Sequence, residues 1–151
     1  MANTQAMCTS FKSEILSGIH ALGTTVIRAG TGADTLKAAL YLASATVNAS
    51  TTAYSATGEV SGSGYSAGGV TVTNATAPTT SGTTGYWTPS ASFTYTTVTL
   101  TTAFDAVLVY NSTQSNKAIS VHTFGSQTIT AGTFTLTMPT SDATNALIRI
   151  A

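Results

Sequence analysis

Charged side chains are scarce in this sequence. Lysine, arginine, aspartate and glutamate together make up 7% of the 151 residues, and their charges balance to a formal net charge of zero. A typical soluble domain carries about 25% of such residues. Soluble proteins keep apart largely through surface charge, so a neutral chain with few charges has little of that protection. We therefore expect this chain to function within an assembly.

Clusters of basic residues, cysteine pairs and long apolar runs are also missing. The lysines and arginines stand singly, at Lys12, Arg28, Lys37, Lys117 and Arg149. Nucleic-acid binding needs clustered basic side chains, so DNA and RNA are not expected partners. The single cysteine, Cys8, excludes an intrachain disulfide and a thiolate metal cluster. Neither a signal peptide nor a run of eighteen apolar residues is found, so we expect neither export by a signal peptide nor a membrane span.

Few residues are suited to catalysis or metal binding. The two histidines, His20 and His122, lie about a hundred residues apart, and no H-x-x-x-H or C-x-x-C spacing is present. Only five carboxylates are available, and no two of them form an obvious acid–base pair. We predict that the protein is not an enzyme and has no catalytic, metal-binding or cofactor-binding residues.

The stretch TGEVSGSGYSAGG (57–69) is rich in glycine. Its residues 62–67 fit the pattern G-x-G-x-x-[G/A], which binds a dinucleotide where it joins a strand to a helix. The following GVTVTN (69–74) instead alternates valine and threonine as a strand does, and no acidic residue lies from Val60 to Phe104. We predict a glycine loop between strands, in which Glu59 accepts backbone N–H bonds that fix the loop.

Two segments in the first third of the chain have helical periodicity. Apolar residues recur at helical spacing after Thr9 or Ser10 as N-cap, at Phe11, Ile15, Leu16, Ile19 and Leu22. This pattern predicts an amphipathic helix of about three turns, followed by a brief strand in TTVIR (24–28). The segment DTLKAALYL (34–42) fits either a helix or a strand, and the flanking glycine and threonine favour the strand.

Most of the remaining sequence predicts short strands. About a fifth of all residues are threonine, which favours strands and tolerates a solvated sheet face without charge. The segment 75–90 has two prolines and no periodicity, so we interpret it as a long surface loop. Further strands are predicted at 91–102, 103–111 and 117–124, as a hairpin at 127–139 with its turn at Ala131 and Gly132, and at 145–150.

About eight short strands at a spacing of roughly ten residues are typical of an all-β fold. We predict an antiparallel β-sandwich or jelly-roll-like domain with a short N-terminal helix. Residues 1–33 are predicted to form the N-terminal helix or arm, and residues 34–151 the β-sandwich domain.

Five apolar or aromatic residues are candidate partner contacts. Phe11, Ile15 and Ile19 form a stripe on the predicted helix, which either docks on a partner or neighbouring subunit or caps the chain's own core. Tyr65 and Trp87 are either core aromatics under loops or exposed anchors at a contact, because aromatic residues are enriched at interfaces.

Several phrases of the sequence, taken in order, resemble a group of small virion structural proteins of tailed bacteriophages. The phrases are DTLKAALYL, TGEVSGSGYSAGG, FDAVLVYN, FTLTMP and DATNALIRI, and they run from Asp34 to the C-terminal end. Several members of that group look like capsid decoration or cement proteins, and others are minor head or tail components. The resemblance implies a non-enzymatic β-domain, present in many copies on a phage particle.

From the composition and this resemblance we expect a capsid decoration protein. It would bind the major capsid protein and stabilise its lattice on the outer surface of the head, after assembly in the host cytoplasm. Copies of the chain are expected to form a closed cyclic oligomer, a trimer. The alternative is a tail or neck component, including a small receptor-binding or adsorption module. No cofactor and no membrane are expected to take part.

Overall fold

Eight strands form two antiparallel sheets in this computed structural model, which describes residues 2–16, 18–22, 33–73 and 76–151. The larger sheet has the order β1-β7-β6-β2-β3 and the smaller the order β4-β5-β8. The elements are β1 Ala6–Met7, α1 Thr9–Leu16, β2 Leu36–Leu42, β3 Val70–Thr71, β4 Thr79–Ser81, β5 Thr84–Trp87, β6 Phe93–Asn111, β7 Lys117–Leu136 and β8 Ile148–Ile150. The prediction of an antiparallel all-β fold with a short N-terminal helix is confirmed.

The helix α1 is shorter than predicted, because a glycine ends it. Gly18 adopts a φ of 67°, its N–H donates to Ile15 O, and the N–H of Ile19 donates to Glu14 O. This pair of bonds is the Schellman arrangement that ends helices at glycine. Ile19 therefore lies beyond the helix, and the strand predicted in TTVIR lies outside the described residues.

The strand β2 lies inside the larger sheet, between β6 and β3. It pairs with β6 from Leu36 opposite Asn111 to Leu42 opposite Phe104, and with β3 on its other side. Five of its seven residues are buried, because both of its faces are covered. The strand prediction for 34–42 is confirmed, and the helical alternative is wrong. The strand predicted at 69–74 is shorter, since β3 contains only Val70 and Thr71.

The strands β6 and β7 are a single long hairpin. They pair from Phe93 opposite Leu136 to Asn111 opposite Lys117. The two strands predicted at 91–102 and 103–111 are therefore one continuous element. The apolar half of β6 is buried against β2, whereas the threonine-rich half alternates between buried and exposed residues.

The hairpin turn predicted at Ala131 and Gly132 is wrong. Both residues lie inside β7, and Ala131 has a φ of 47° where the register with β6 shifts between Val98 and Leu100. A residue with positive φ and a register shift mark a β-bulge, which bends a strand without ending it. The Ala131–Gly132 pair correctly indicated an irregularity of the backbone, but the irregularity is a bulge and not a turn.

The loop predicted at 75–90 contains two strands of the smaller sheet. β4 and β5 form a hairpin in which Ser81 pairs with Thr84 across a two-residue turn, and Gly82 takes a φ of 57° there. Glycine accepts this left-handed conformation without strain. β5 then pairs with β8, so that Trp87 lies opposite Ile148.

One contiguous cluster of buried residues joins the two sheets. It includes Phe104 and Leu108 of the larger sheet together with Trp87 and Ile148 of the smaller one. β1 lies within the predicted arm 1–33 and pairs with β7, so this part of the arm belongs to the larger sheet.

Candidate functional site

Glu59, near the start of the glycine stretch, lies at the centre of a hydrogen-bonded cluster. Its Oε1 accepts from the N–H of Gly68 at 2.7 Å and from the hydroxyl of Tyr65 at 2.7 Å. Its Oε2 accepts from the hydroxyl of Tyr54 at 2.6 Å. The predicted backbone N–H bond to Glu59 is confirmed. The two tyrosine donors were not predicted, although they lie only 5 and 6 residues from Glu59 in the sequence.

Three further tyrosines connect this cluster to the larger sheet. Tyr110 donates to Gly68 O at 2.8 Å, Tyr95 donates to Ala38 O at 2.9 Å, and Tyr41 donates to Ser55 O. Burial raises the pKa of Tyr41 and of Tyr110 to about 12. These hydroxyls therefore stay protonated at neutral pH and act as hydrogen-bond donors that hold the loop against the sheet.

The glycines of this stretch allow close approach of the backbone to the sheet. A Cβ on Gly62 would lie 2.0 Å from Thr99 O, and a Cβ on Gly69 would lie 1.8 Å from Ala38 O. Between them, Ser63 O accepts the N–H of Thr99 at 2.8 Å. The pattern that resembles a dinucleotide fingerprint is therefore explained by loop packing, and no helix follows it in the described residues 64–73.

From the sequence this stretch was expected to miss the nucleophile-elbow pattern G-x-S-x-G, and that expectation is wrong. Residues 64–68, GYSAG, match the G-x-S-x-G pattern of a nucleophile elbow, with Ser66 at its centre. Ser66 is exposed in a loop and not at a strand-to-helix turn, and its carbonyl accepts the N–H of Gly69. Both histidines make their hydrogen bonds to other residues. In the described part of the chain, no hydrogen bond joins Ser66 to a histidine.

His20 lies in a polar network that joins the N-terminal segment to the end of the β6–β7 hairpin. Its Nε2 is 2.8 Å from Glu14 Oε2, and its Nδ1 is 3.0 Å from Asn111 Nδ2. Because the Nδ2 group of Asn111 can only donate, Nδ1 of His20 accepts and Nε2 carries the proton donated to Glu14. Lys117 Nζ donates to Glu14 Oε1 at 2.7 Å, and Asn111 also donates to Asp34 at 2.7 Å.

The charge on Glu14 is stabilised by this network. Burial raises its pKa, but the hydrogen bonds from Lys117 and His20 outweigh burial and hold the pKa below the usual range. Both carboxylate oxygens of Glu14 and both ring nitrogens of His20 form hydrogen bonds, so the network ties the N-terminal arm to the end of the hairpin.

The second histidine pairs with a buried serine. His122 Nε2 is 2.8 Å from Ser120 Oγ, and burial lowers the pKa of His122 to about 4. A neutral imidazole beside a hydroxyl resembles half of a hydrolytic triad. Ser120, however, is 1% exposed, so a substrate cannot reach its oxygen. No carboxylate of the described residues contacts His122 by a hydrogen bond.

The five predicted contact residues differ in burial. Phe11 is 0% exposed, with its ring 4.7 Å from that of His20, and Trp87 is 2% exposed. Ile15 and Ile19 are half-buried, as is Tyr65 in the Glu59 cluster. Partner contact by these five residues stays a prediction.

An apolar cleft brings together two of these five residues. Ile15 and Trp87 line it with Leu22, Ile148 and Ile150, and its volume is about 300 Å³. The cleft lies between the N-terminal segment and the smaller sheet. Its lining contains no acidic or basic side chain except His20, so it suits apolar groups.

The described residues contain no group of three or more His, Cys, Asp and Glu side chains placed to hold a metal ion. None of the helices in the described part of the chain is long and apolar enough to span a membrane. Comparison with protein-family models, curated proteins and solved structures yields no match.

Proposed function

We propose that this protein is a structural component of a tailed-phage virion, a decoration or cement protein without enzymatic activity. It binds the major capsid protein on the outer surface of the head and stabilises the capsid lattice, after assembly in the host cytoplasm. In this proposal the two sheets are the layers of a sandwich, and copies of the chain associate as a trimer.

The use of polar groups supports a structural role. Glu59 and Glu14, two of the five carboxylates, hold a loop and the N-terminal arm, respectively. Both histidines bond to side chains within the chain. The 45-residue stretch from Val60 to Phe104 contains no charged residue, and its described exposed residues are mostly threonine, serine, glycine and alanine. A surface with so few charges suits permanent contact in an assembly.

The phrases that resemble phage virion proteins coincide with the elements that hold the fold together. They include β2, the Glu59 loop, the apolar half of β6, and β8. The resemblance therefore rests on residues that determine the architecture. It supports a shared kind of β-domain and leaves the partner to experiment.

The copy number per particle tests the proposal. Quantitative gel analysis of purified virions should give hundreds of copies, and particle imaging should place them over the head. Adding the purified protein to stripped heads should raise the temperature at which the heads release DNA. A few copies confined to the tail or neck would favour the alternative, a tail or adsorption component, and would contradict the decoration proposal.

A further inference from the structure

The strand β8 is the outermost strand of the smaller sheet. It pairs with β5 through Ile148, Arg149 and Ile150, and the sheet order β4-β5-β8 leaves its other side without a neighbouring strand among the described residues. The backbone groups of 148–150 make no hydrogen bond beyond that pairing in the described part of the chain. Unpaired N–H and C=O groups along a strand are a template for a further strand.

One face of β8 contributes to the apolar cleft. Ile148 and Ile150 alternate along the strand and both line the cleft, with Trp87 beside them. Ile150 is 50% exposed, the one large hydrophobic side chain that the described residues leave exposed. A strand added beside β8 would place alternate side chains over this cleft, because side chains of a strand point to the two faces in turn.

The other face of β8 carries a positive charge without an acidic partner. Arg149 lines a separate concavity with His122 and forms no ion pair, since both ion pairs of the described residues belong to Glu14. Asp142, close in sequence, instead accepts hydrogen bonds from Asn145 and the backbone. An added strand would therefore gain from an acidic side chain on this face.

We propose that the edge of β8 binds an extended segment of a partner protein by strand addition. Two apolar side chains of that segment, at alternate positions, enter the cleft, and an acidic side chain between them faces Arg149. A second copy of the same edge fits less well, because antiparallel self-pairing of 148–150 places Arg149 opposite Arg149. The inference goes beyond the proposed function, since it holds for any partner that supplies such a segment.

The binding test uses a short peptide and the single tryptophan. Trp87 lines the cleft, so its emission reports on occupation of the cleft. The probe is acetyl-Thr-Ile-Glu-Ile-Thr-amide, and the matched control is the same peptide with lysine in place of glutamate. We expect a saturable change in Trp87 emission, with at least tenfold weaker binding of the lysine peptide, equivalent to about 1.4 kcal/mol.

Two variants test the contacts separately. Arg149→Glu should reverse the preference, so that the lysine peptide binds more tightly than the glutamate peptide. Ile150→Thr should weaken both peptides alike, because it removes apolar contact without changing charge. Ile129→Thr is the control, since Ile129 is half-buried on β7 and does not line the cleft. Circular dichroism of each variant establishes that it is folded.

Several outcomes would overturn the inference. The first is the absence of a saturable change with either peptide. The second is equal binding of both peptides to the wild type and to Arg149→Glu. The third is slow amide exchange at both Ile148 and Ile150 in the free protein, which would show that the edge is already covered. Self-association that the glutamate peptide reverses would identify a second copy as the occupant and contradict the proposed partner. These measurements use the isolated protein, so their failure is distinct from failure of head binding.

Discussion

The rings of Phe124 and Phe134 lie 5.2 Å apart although both residues belong to β7. A straight strand separates residues ten positions apart by roughly 33 Å. β7 is therefore bent back on itself, and Phe104 of β6 contacts both rings, at 6.0 and 5.2 Å. The register shifts between β6 and β7 cluster in the same region. Bulges at this corner let residues of one hairpin lie on both sides of an aromatic cluster.

Phe134→Ala should lower the free energy of unfolding by about 2–3 kcal/mol. Full burial of a phenylalanine gives about 3–5 kcal/mol for the same change, and Phe134 is half-buried. Urea unfolding followed by circular dichroism measures the effect. Thr135→Ala, on the exposed neighbouring residue, is the control and should change stability by less than about 0.5 kcal/mol. Equal effects of the two substitutions would contradict a role of the ring cluster in holding the bend.

Tyr65→Phe should destabilise the protein by about 1–3 kcal/mol. The change removes a hydroxyl that donates to Glu59 and accepts the N–H of Leu40 at 3.0 Å, and it leaves a buried carboxylate with one donor fewer. Tyr86→Phe serves as the control, because no hydrogen bond of the Tyr86 hydroxyl is found in the described structure. Thermal unfolding of both variants measures the difference in stability. If Tyr65→Phe matches the wild type, the cluster does not stabilise the loop.

Gly69→Ala should be strongly destabilising, by more than about 3 kcal/mol. Gly69 has a φ of 73°, and an added Cβ would lie 1.8 Å from Ala38 O, a backbone atom of the buried strand β2. Gly125→Ala is the matched control, since a Cβ there meets no atom within 4 Å. Melting temperatures of the two variants compare them directly. A stable Gly69→Ala protein would show that the loop can separate from β2 at little cost.

His122 should make the protein less stable in mild acid. Burial lowers its folded pKa to about 4, whereas an unfolded histidine has a pKa of about 6.5. The unfolded state therefore takes up a proton first, and the stability that is complete above pH 6.5 falls as the pH drops toward 4. At pH 5 the loss is about 1–2 kcal/mol. The difference between wild type and His122→Gln, measured by urea unfolding at pH 7 and pH 5, isolates this contribution; an unchanged difference contradicts the lowered pKa.

Phe11→Ser should separate the two roles considered for the N-terminal segment. Because Phe11 is 0% exposed, we expect a loss of about 3 kcal/mol or more from the free protein. Ile19→Ser, at a half-buried position beyond the helix, should cost less. Unfolding of each free variant is compared with its binding to stripped heads. A Phe11→Ser protein of wild-type stability that no longer binds heads would support docking of this segment over capping of the core.

The sequence by itself determined the class of the fold and several local features. The alternation of apolar and polar residues, with abundant threonine, predicted antiparallel strands, including β2. The glycine stretch was correctly interpreted as a loop, and Glu59 as an acceptor of its backbone bonds. These features depend on local backbone preference and on periodicity, which a single sequence contains. The shortage of charged residues is likewise evident from the sequence alone.

Only the tertiary structure decided which residues meet. The turn predicted at Ala131 is a bulge, because pairing with β6 keeps the strand continuous on both sides of it. The segment 75–90 forms strands because β8, about sixty residues later in the sequence, pairs with β5. The Glu59 cluster is joined to the larger sheet by Tyr95 and Tyr110, whose partners Ala38 and Gly68 are distant from them in the sequence. Contacts between residues distant in sequence are set by the packing of the whole chain, which local periodicity does not encode.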